Sequence, residues 1–282
     1  MNRRTAGVLG SVTTIAAVAT LALAPGATAS GGESLRAVGL TDDNRLVRFM
    51  TNAPGGAHVL GEVEGLVGDT DLVGIDFRVQ NDRLYGVGNM GGIYTIGTKR
   101  QQATKVSQLT VPLEGETYGV DFNPAADRLR IISDTGQNLR HDVNTPVGPT
   151  TLDGTLSYPP TPPPATGVNG VAYTNNDLDM NTSTTLYDFD TMMDQIAIQS
   201  PANSGQLAAT GKTGVDAVAD AGFDTYSELE NGTTQALRPF AALEVGGKYR
   251  LYTVRLFTGD VHLVGAFPNG IQVSDLAVRL DQ

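Results

Sequence analysis

"GVDFNPAADRLRIISDTGQNLR" (residues 119–140) lies over "GIDFRVQNDRLYGVGNMGGIYT" (residues 74–95) without a gap, and the two agree at Gly74/Gly119, Asp76/Asp121, Phe77/Phe122, Asp82/Asp127, Arg83/Arg128, Leu84/Leu129 and Gly91/Gly136. A self-match of this kind marks a repeat architecture. Working outward, "RLVRFM" (45–50), "RLYGVG" (83–88), "RLRIIS" (128–133), "TLYDFD" (185–190) and "RLYTVR" (250–255) share a leucine. A second element precedes four of them: "GIDF" at 74, "GVDF" at 119, "GVAY" at 170 and "GFDT" at 222. Short β-branched and aromatic runs separated by Gly, Pro, Asn and Asp read as strands, and no long amphipathic helical pattern interrupts them.

Each unit holds three or four strands in roughly 40 to 55 residues, the period of a β-propeller blade. The sequence therefore predicts an all-β, propeller-like ring of about five blades, or six if the long unit at 220–270 divides. The first unit, from Leu35, is one strand short, and "IQVSDLAVRLDQ" at the C-terminus supplies a spare one. Pairing of this strand with the N-terminal blade would close the ring and leave no open sheet edge. "YPPTPPPATG" (158–167) and "TNNDLDMNTSTT" (174–185) break the pattern and read as loops around the third and fourth blades.

The first residues resemble an export signal. Arg3 and Arg4 precede an uncharged run to Ala24, and Ala27 and Ala29 stand as signal peptidase accepts them, so residues 1–29 are expected to be removed and 30–282 to form one domain outside the cytoplasm. That segment holds two of the 19 basic residues and none of the 30 acidic ones, so the remainder carries 17 against 30, a charge of −13. Such a surface repels phosphate backbones, and nucleic acid is not an expected partner. Nothing after the signal approaches a spanning helix, so no membrane association is expected. Without cysteine the fold relies on its core rather than disulfides. A monomer is the expected state.

Candidate chemistry begins with Asp76, Asp121 and Asp224, carboxylates at equivalent places in three units, which could converge on the ring axis to hold a hard cation or serve as acid and base. The structural alternative is that they are buried, hydrogen-bonded struts, with Arg83 and Arg128 as partners. The fourth copy has Ala172 in that place, which breaks the symmetry. Asp177-x-Asp179-x-Asn181, with Asp188 in the twelfth place, has the oxygen spacing of a calcium loop. Thr182 stands where that loop needs glycine, and a polar hairpin loop is the alternative. "GVGNMG" (86–91) leads into a strand rather than a helix, so its glycines are turn residues and not a dinucleotide site. His58, His141 and His262 lie in separate units, and no G-x-S-x-G elbow is present. In "TGQNLR", Gln137, Asn138 and Arg140 replace Gly92, Ile93 and Thr95 of the matching unit, which points either to a solvated outer strand or to a binding surface.

At these residues the chain resembles a known family. The stretch 119–140, "AYTNN", "TTLYDFD", "QSPANSGQL" and "TGKTGVD" followed by "AGFD" are similar to the uncharacterised bacterial exported family of domain of unknown function 4394, over about Leu35 to Leu280. The resemblance implies an exported propeller-like protein with no assigned reaction, cofactor or catalytic residue. Asn123, Pro124, Asp127, Arg128, Gly136, Gln137 and Asn138 match its pattern, and no role comes with them. Two functional expectations follow: a non-catalytic binding or scaffold propeller for a protein or glycan partner, or a carboxylate-dependent hydrolase of the lactonase or glycosidase kind, with or without calcium.

Overall fold

The computed structural model describes residues 33–179 and 181–280, with the backbone alone at residue 219. The expected export signal lies outside the described residues. Residues 34–280 form five four-stranded antiparallel sheets. The first sheet takes β1 (Arg36–Thr41), β2 (Arg45–Met50) and β3 (Ala53–Glu62). The second is β4 (Leu72–Arg78), β5 (Arg83–Gly88), β6 (Gly92–Gly97) and β7 (Gln102–Gln108). The third is β8 (Tyr118–Asn123), β9 (Arg128–Ser133), β10 (Asn138–His141) and a short β11 (Thr150–Leu152). The fourth is β12 (Val168–Tyr173), β13 (Leu186–Asp190), β14 (Gln195–Gln199) and β15 (Leu207–Lys212). The fifth is β16 (Val218–Glu230), β17 (Thr233–Glu244), β18 (Tyr249–Val254) and β19 (Val261–Ala266). The last strand, β20 (Val273–Val278), returns to the first sheet and pairs antiparallel with β1, Ala37 opposite Val278 and Leu40 opposite Asp275.

β4 lies against β8, β8 against β12, β12 against β16, β16 against β20, and β20 against β4. These five strands line the axis of a five-bladed propeller, closed by the C-terminal strand. The count is five because the long unit is one blade. Its hairpin β16–β17 simply runs on, with Thr225–Glu230 paired to residues 233–239 beyond the ordinary strand length.

Five apolar clusters hold the ring, one at each seam. Leu46, Ile75 and Leu84 fill the first–second seam; Val87, Phe122 and Ile131 the second–third; Ile132, Val171 and Leu186 the third–fourth. Phe189, Phe223 and Leu243 fill the fourth–fifth, and Phe49, Phe240 and Leu276 the fifth–first. Both faces of each inner strand are therefore covered, as a run without polar alternation requires.

The repeated residues now have causes. A Cβ on Gly119 would stand 2.9 Å from Asn169 O and from Val171 N, and one on Gly222 would stand 2.7 Å from Asp275 Cα. Glycine recurs here because neighbouring inner strands approach backbone to backbone near the axis. Asp82 (φ 50°) and Asp127 (φ 51°) recur because each turns the first hairpin of its blade in the left-handed region, which Asp tolerates. Among the described residues no helix is long and apolar enough to cross a membrane.

Candidate site in and around the central channel

An innermost strand has a neighbour on one side only, so its axis-facing N–H groups lack ladder partners and must be satisfied otherwise. The repeated aspartates do this. Asp76 accepts the N–H of Phe77 (2.6 Å) with one oxygen and that of Phe122, in the next blade, with the other (2.8 Å). Asp224 accepts from Thr225 (2.5 Å) and from Val278 across the closing seam (2.6 Å). Asp121 faces the N–H of Tyr173 in the fourth blade. Asp275 on β20 is a fourth member, accepting from Leu276 (2.8 Å) and from Ile75 in the second blade (2.7 Å). Each carboxylate staples one blade to the next.

The structure brings Asp76, Asp121 and Asp224 together, with one carboxylate oxygen from each lying within 4.8 Å of the others and all three residues buried. Burial pushes each carboxyl up: Asp76 well above the usual range with Asp224 adding to the effect, Asp121 likewise with Asp76 adding, and Asp224 to about 6. Asp275 is also pushed well up by burial. Like charges this close in low dielectric cannot all ionise, so the group holds protons. The expected arginine partners are elsewhere. Arg83 is exposed, and Arg128 pairs with Asp142 at 3.1 Å and bonds the carbonyl of Asp127. Backbone N–H groups take the place that the sequence suggested for arginine. Arg78 instead holds the turn residue Asp127.

At the end where the inner strands begin, a pocket of about 200 Å³ opens, lined by Asp42, Glu116, Asp220, Thr117, Tyr118 and Ser274 among others. Burial raises the Asp220 carboxyl to about 6, helped by Asp42, Asp134 and Glu244. Tyr249 donates to Asp42 (2.9 Å) and also lines a second pocket of about 280 Å³ with Glu244, Lys248 and Phe267. Sequence reasoning missed this mouth because its acids come from unrelated places, Asp42 from the β1–β2 turn, Glu116 from the connection before β8 and Asp220 from the start of β16, and belong to no repeat. Asp220, two residues before the repeated Gly222, was the available signal.

The polar residues of "TGQNLR" serve the fold. Gln137 donates to Pro112 O (2.8 Å) and accepts from Glu114 N (3.1 Å). Asn138 accepts from Arg130 (2.7 Å) and donates to Gly154 O and Ala202 O. Arg140 makes a two-pronged pair with Asp153 (2.6 and 3.0 Å). Arg130, which the sequence did not single out, lies buried at the centre of this network and also bonds Asp153, Asn203 and Tyr173. Asn123 accepts from Ala126 N (2.8 Å), closing the first turn of its blade.

In the loop with calcium-like spacing, Asp177 accepts from Asp179 N (3.0 Å) and from the N–H and hydroxyl of Thr234 (3.0 and 2.6 Å). Asp179 accepts from Asn181 N and Nδ2, both at 2.9 Å. The loop thereby docks on the long hairpin of the fifth blade. Asp188 belongs to the sheet, on β13 opposite Val171 and Ala197, and shares none of these bonds.

Ser107 and His141 form a buried pair, Oγ to Nε2 at 2.9 Å. The Ser107 hydroxyl donates to Thr145 O (2.8 Å), so Nε2–H of His141 donates to it, while Nδ1 meets Thr150 Oγ1 (2.9 Å). Burial drives the imidazole down to about 4. This histidine is neutral, with its proton on the wrong nitrogen for a general base to that serine.

Solved structures similar to the chain include the major Malassezia sympodialis allergen Mala s 1, at 13% identity over 85% of this chain and 80% of that one, TM-score 0.43. A Lactobacillus plantarum protein matches at 17% identity over 85% and 70%, TM-score 0.41. A Bacteroides thetaiotaomicron protein of unknown function matches at 14% over 86% and 63%, TM-score 0.43. Likenesses this distant carry no inference about function. No curated protein matches the chain. The sequence pattern of Domain of unknown function (DUF4394) matches residues 45–277, most of the chain, and the protein belongs to that family.

Proposed function

We propose that the protein is an exported, non-catalytic binding propeller that engages a basic segment of a protein partner at the acidic mouth of its channel. The observation that carries this reading is the mouth pocket, where Asp42, Glu116 and Asp220 converge from three blades beside Thr117, Tyr118 and Ser274. Focused negative potential in a concave site favours a cationic ligand and speeds its arrival. The channel aspartates support a scaffold role, since they are buried and occupied by backbone N–H groups rather than set across an open cleft as a glycosidase pair must be. Export rests on the signal-like residues 1–29.

The test is fluorescence anisotropy of a labelled Lys/Arg-rich peptide and a Glu-rich control of equal length. Binding of the basic peptide alone, weakened by salt and lost in Asp42→Asn/Glu116→Gln/Asp220→Asn, is the expected result. Equal binding by the triple variant overturns the reading. One observation favours a hydrolase as the second reading, namely the raised Asp220 carboxyl in an open pocket beside Glu116. Turnover of aryl glycosides or lactones that disappears in Asp220→Asn would decide for it.

A further inference from the structure

One buried carboxyl has no hydrogen-bond partner. Asp188, in the middle of β13, is fully buried, and neither Oδ1 nor Oδ2 meets a donor among the described residues. Its cross-strand partners Val171 and Ala197, and Leu186 and Tyr173 on the same face, belong to the apolar cluster of the third–fourth seam. These walls supply contact and no N–H.

The charged and titratable groups facing this seam are few. Arg130 of β9 draws Asp188 towards ionisation, and Asp190 on its own strand opposes that. Arg130 is already committed to Tyr173, Asn138, Asp153 and Asn203, and Asp153 in turn holds Arg140 of β10. Tyr158, from the proline-rich connection, donates to Asp190 (2.8 Å) rather than to Asp188. Asp121 of β8 stands in register with Arg130 and carries its own proton-retaining neighbours in the channel. Gln199, two residues beyond Ala197 and so on the same face, holds a second buried acceptor, Oε1, without a donor. An ionised carboxylate without a donor keeps its desolvation cost, whereas a neutral carboxylic acid loses that cost and gains an O–H to offer an acceptor.

We propose that Asp188 is carried as a neutral carboxylic acid and acts as a proton-dependent latch between the third and fourth blades, closed while protonated and loosened when it ionises. Burial holds its folded-state proton affinity well above that of an unfolded aspartate. The sign follows: the contribution is complete below the unfolded value near 3.8 and is lost as pH rises through the higher folded one. The third–fourth seam therefore loosens on the alkaline side, where the proline-rich connection crosses between the two blades.

The test is thermal unfolding of the full chain against pH for the wild type and for Asp188→Asn and Asp188→Leu, with infrared spectra of the protonated-carboxyl band. The latch predicts that Asp188→Asn matches or falls slightly below wild type at pH 4 and melts about 2–4 °C or more above it at pH 8. It also predicts that the carboxylic-acid band at pH 7 is smaller in Asp188→Asn than in wild type. A wild-type-minus-variant difference that is flat in pH, whatever its sign, overturns the proposal. So does an unchanged band, which would mean that Asp188 is ionised and held by Arg130. Asp188→Leu keeps the test decisive if Asn brings its own unsatisfied donors, because a leucine that is stabilising at pH 8 and neutral at pH 4 carries the same signature.

Discussion

The channel carboxylates make the stability of this propeller fall as pH rises, and Asp224 is the place to measure it. Its folded carboxyl sits at about 6 against 3.8 for an unconstrained aspartate. That difference of about two pH units corresponds to ~3 kcal/mol at 1.36 kcal/mol per unit. The stabilisation is fully present below about 3.8 and is lost as pH climbs through about 6. Asp76, Asp121 and Asp275 are raised too and act with the same sign. Asp43 and Asp142, lowered by Arg45 and by Asn144 N–H respectively, have the opposite sign, but their contribution disappears only in more acidic solution. In Asp224→Asn one oxygen remains to accept, and one of the N–H groups of Thr225 or Val278 loses its acceptor at a cost of about 1–3 kcal/mol. Urea unfolding at pH 4.5, where part of the contribution is already lost, should therefore find the variant less stable, and at pH 7.5 the gap should close or reverse, a change of ~2 kcal/mol between the two conditions. Curves in EDTA and in calcium should superimpose at both pH values. A wild type more stable at pH 7.5 than at 4.5, with the variant tracking it, refutes the argument. A calcium-dependent gain at pH 7.5 that vanishes in Asp224→Asn would mean that a cation replaces the protons.

Two further perturbations probe the ring itself. Gly119→Ala places a methyl 2.9 Å from the backbone of Asn169 and Val171, so the second repeat's glycine should cost about 1–3 kcal/mol in urea unfolding while far-ultraviolet circular dichroism stays unchanged. Removing residues 271–282 deletes β20, leaves β1 as an open edge and takes away the acceptor Asp275 and the donor Val278. The shortened chain should self-associate in size-exclusion chromatography and lose its single cooperative transition; a monomer with an unchanged melt would show that ring closure contributes nothing.

Much of the architecture could be read directly because a propeller repeats its solution. Leu84, Leu129 and Leu186 recur on the buried second strand of their blades, whereas Leu46 and Leu251 are buried on the third strand of theirs, and Asp76, Asp121 and Asp224 recur since each inner strand has the same unpaired edge. That those aspartates could be buried, hydrogen-bonded struts was legible, but their partners were not, because these depend on which blade faces which. Arginine partners seemed natural from Arg83 and Arg128, yet both leave the axis, and the donors proved to be backbone groups, which a sequence does not mark. Gln137, Asn138 and Arg140 announced polarity, and only the tertiary packing turned Asn138 onto Arg130, Arg140 onto Asp153 and Gln137 onto the backbone of Pro112 and Glu114.

Sequence alone thus determined the all-β ring, its repeat, the spare closing strand and the family, because local strand and turn chemistry and the burial of each blade's faces are written into every copy. Tertiary structure alone decided the fifth and final blade count, the convergence of Asp76, Asp121 and Asp224 within 4.8 Å, the acidic mouth of Asp42, Glu116 and Asp220, and the unpartnered Asp188. The carboxylate cluster and the mouth arise between blades, where residues far apart in the chain meet in one low-dielectric space that raises the Asp76, Asp121 and Asp220 carboxyls, and no periodicity along the chain records that meeting.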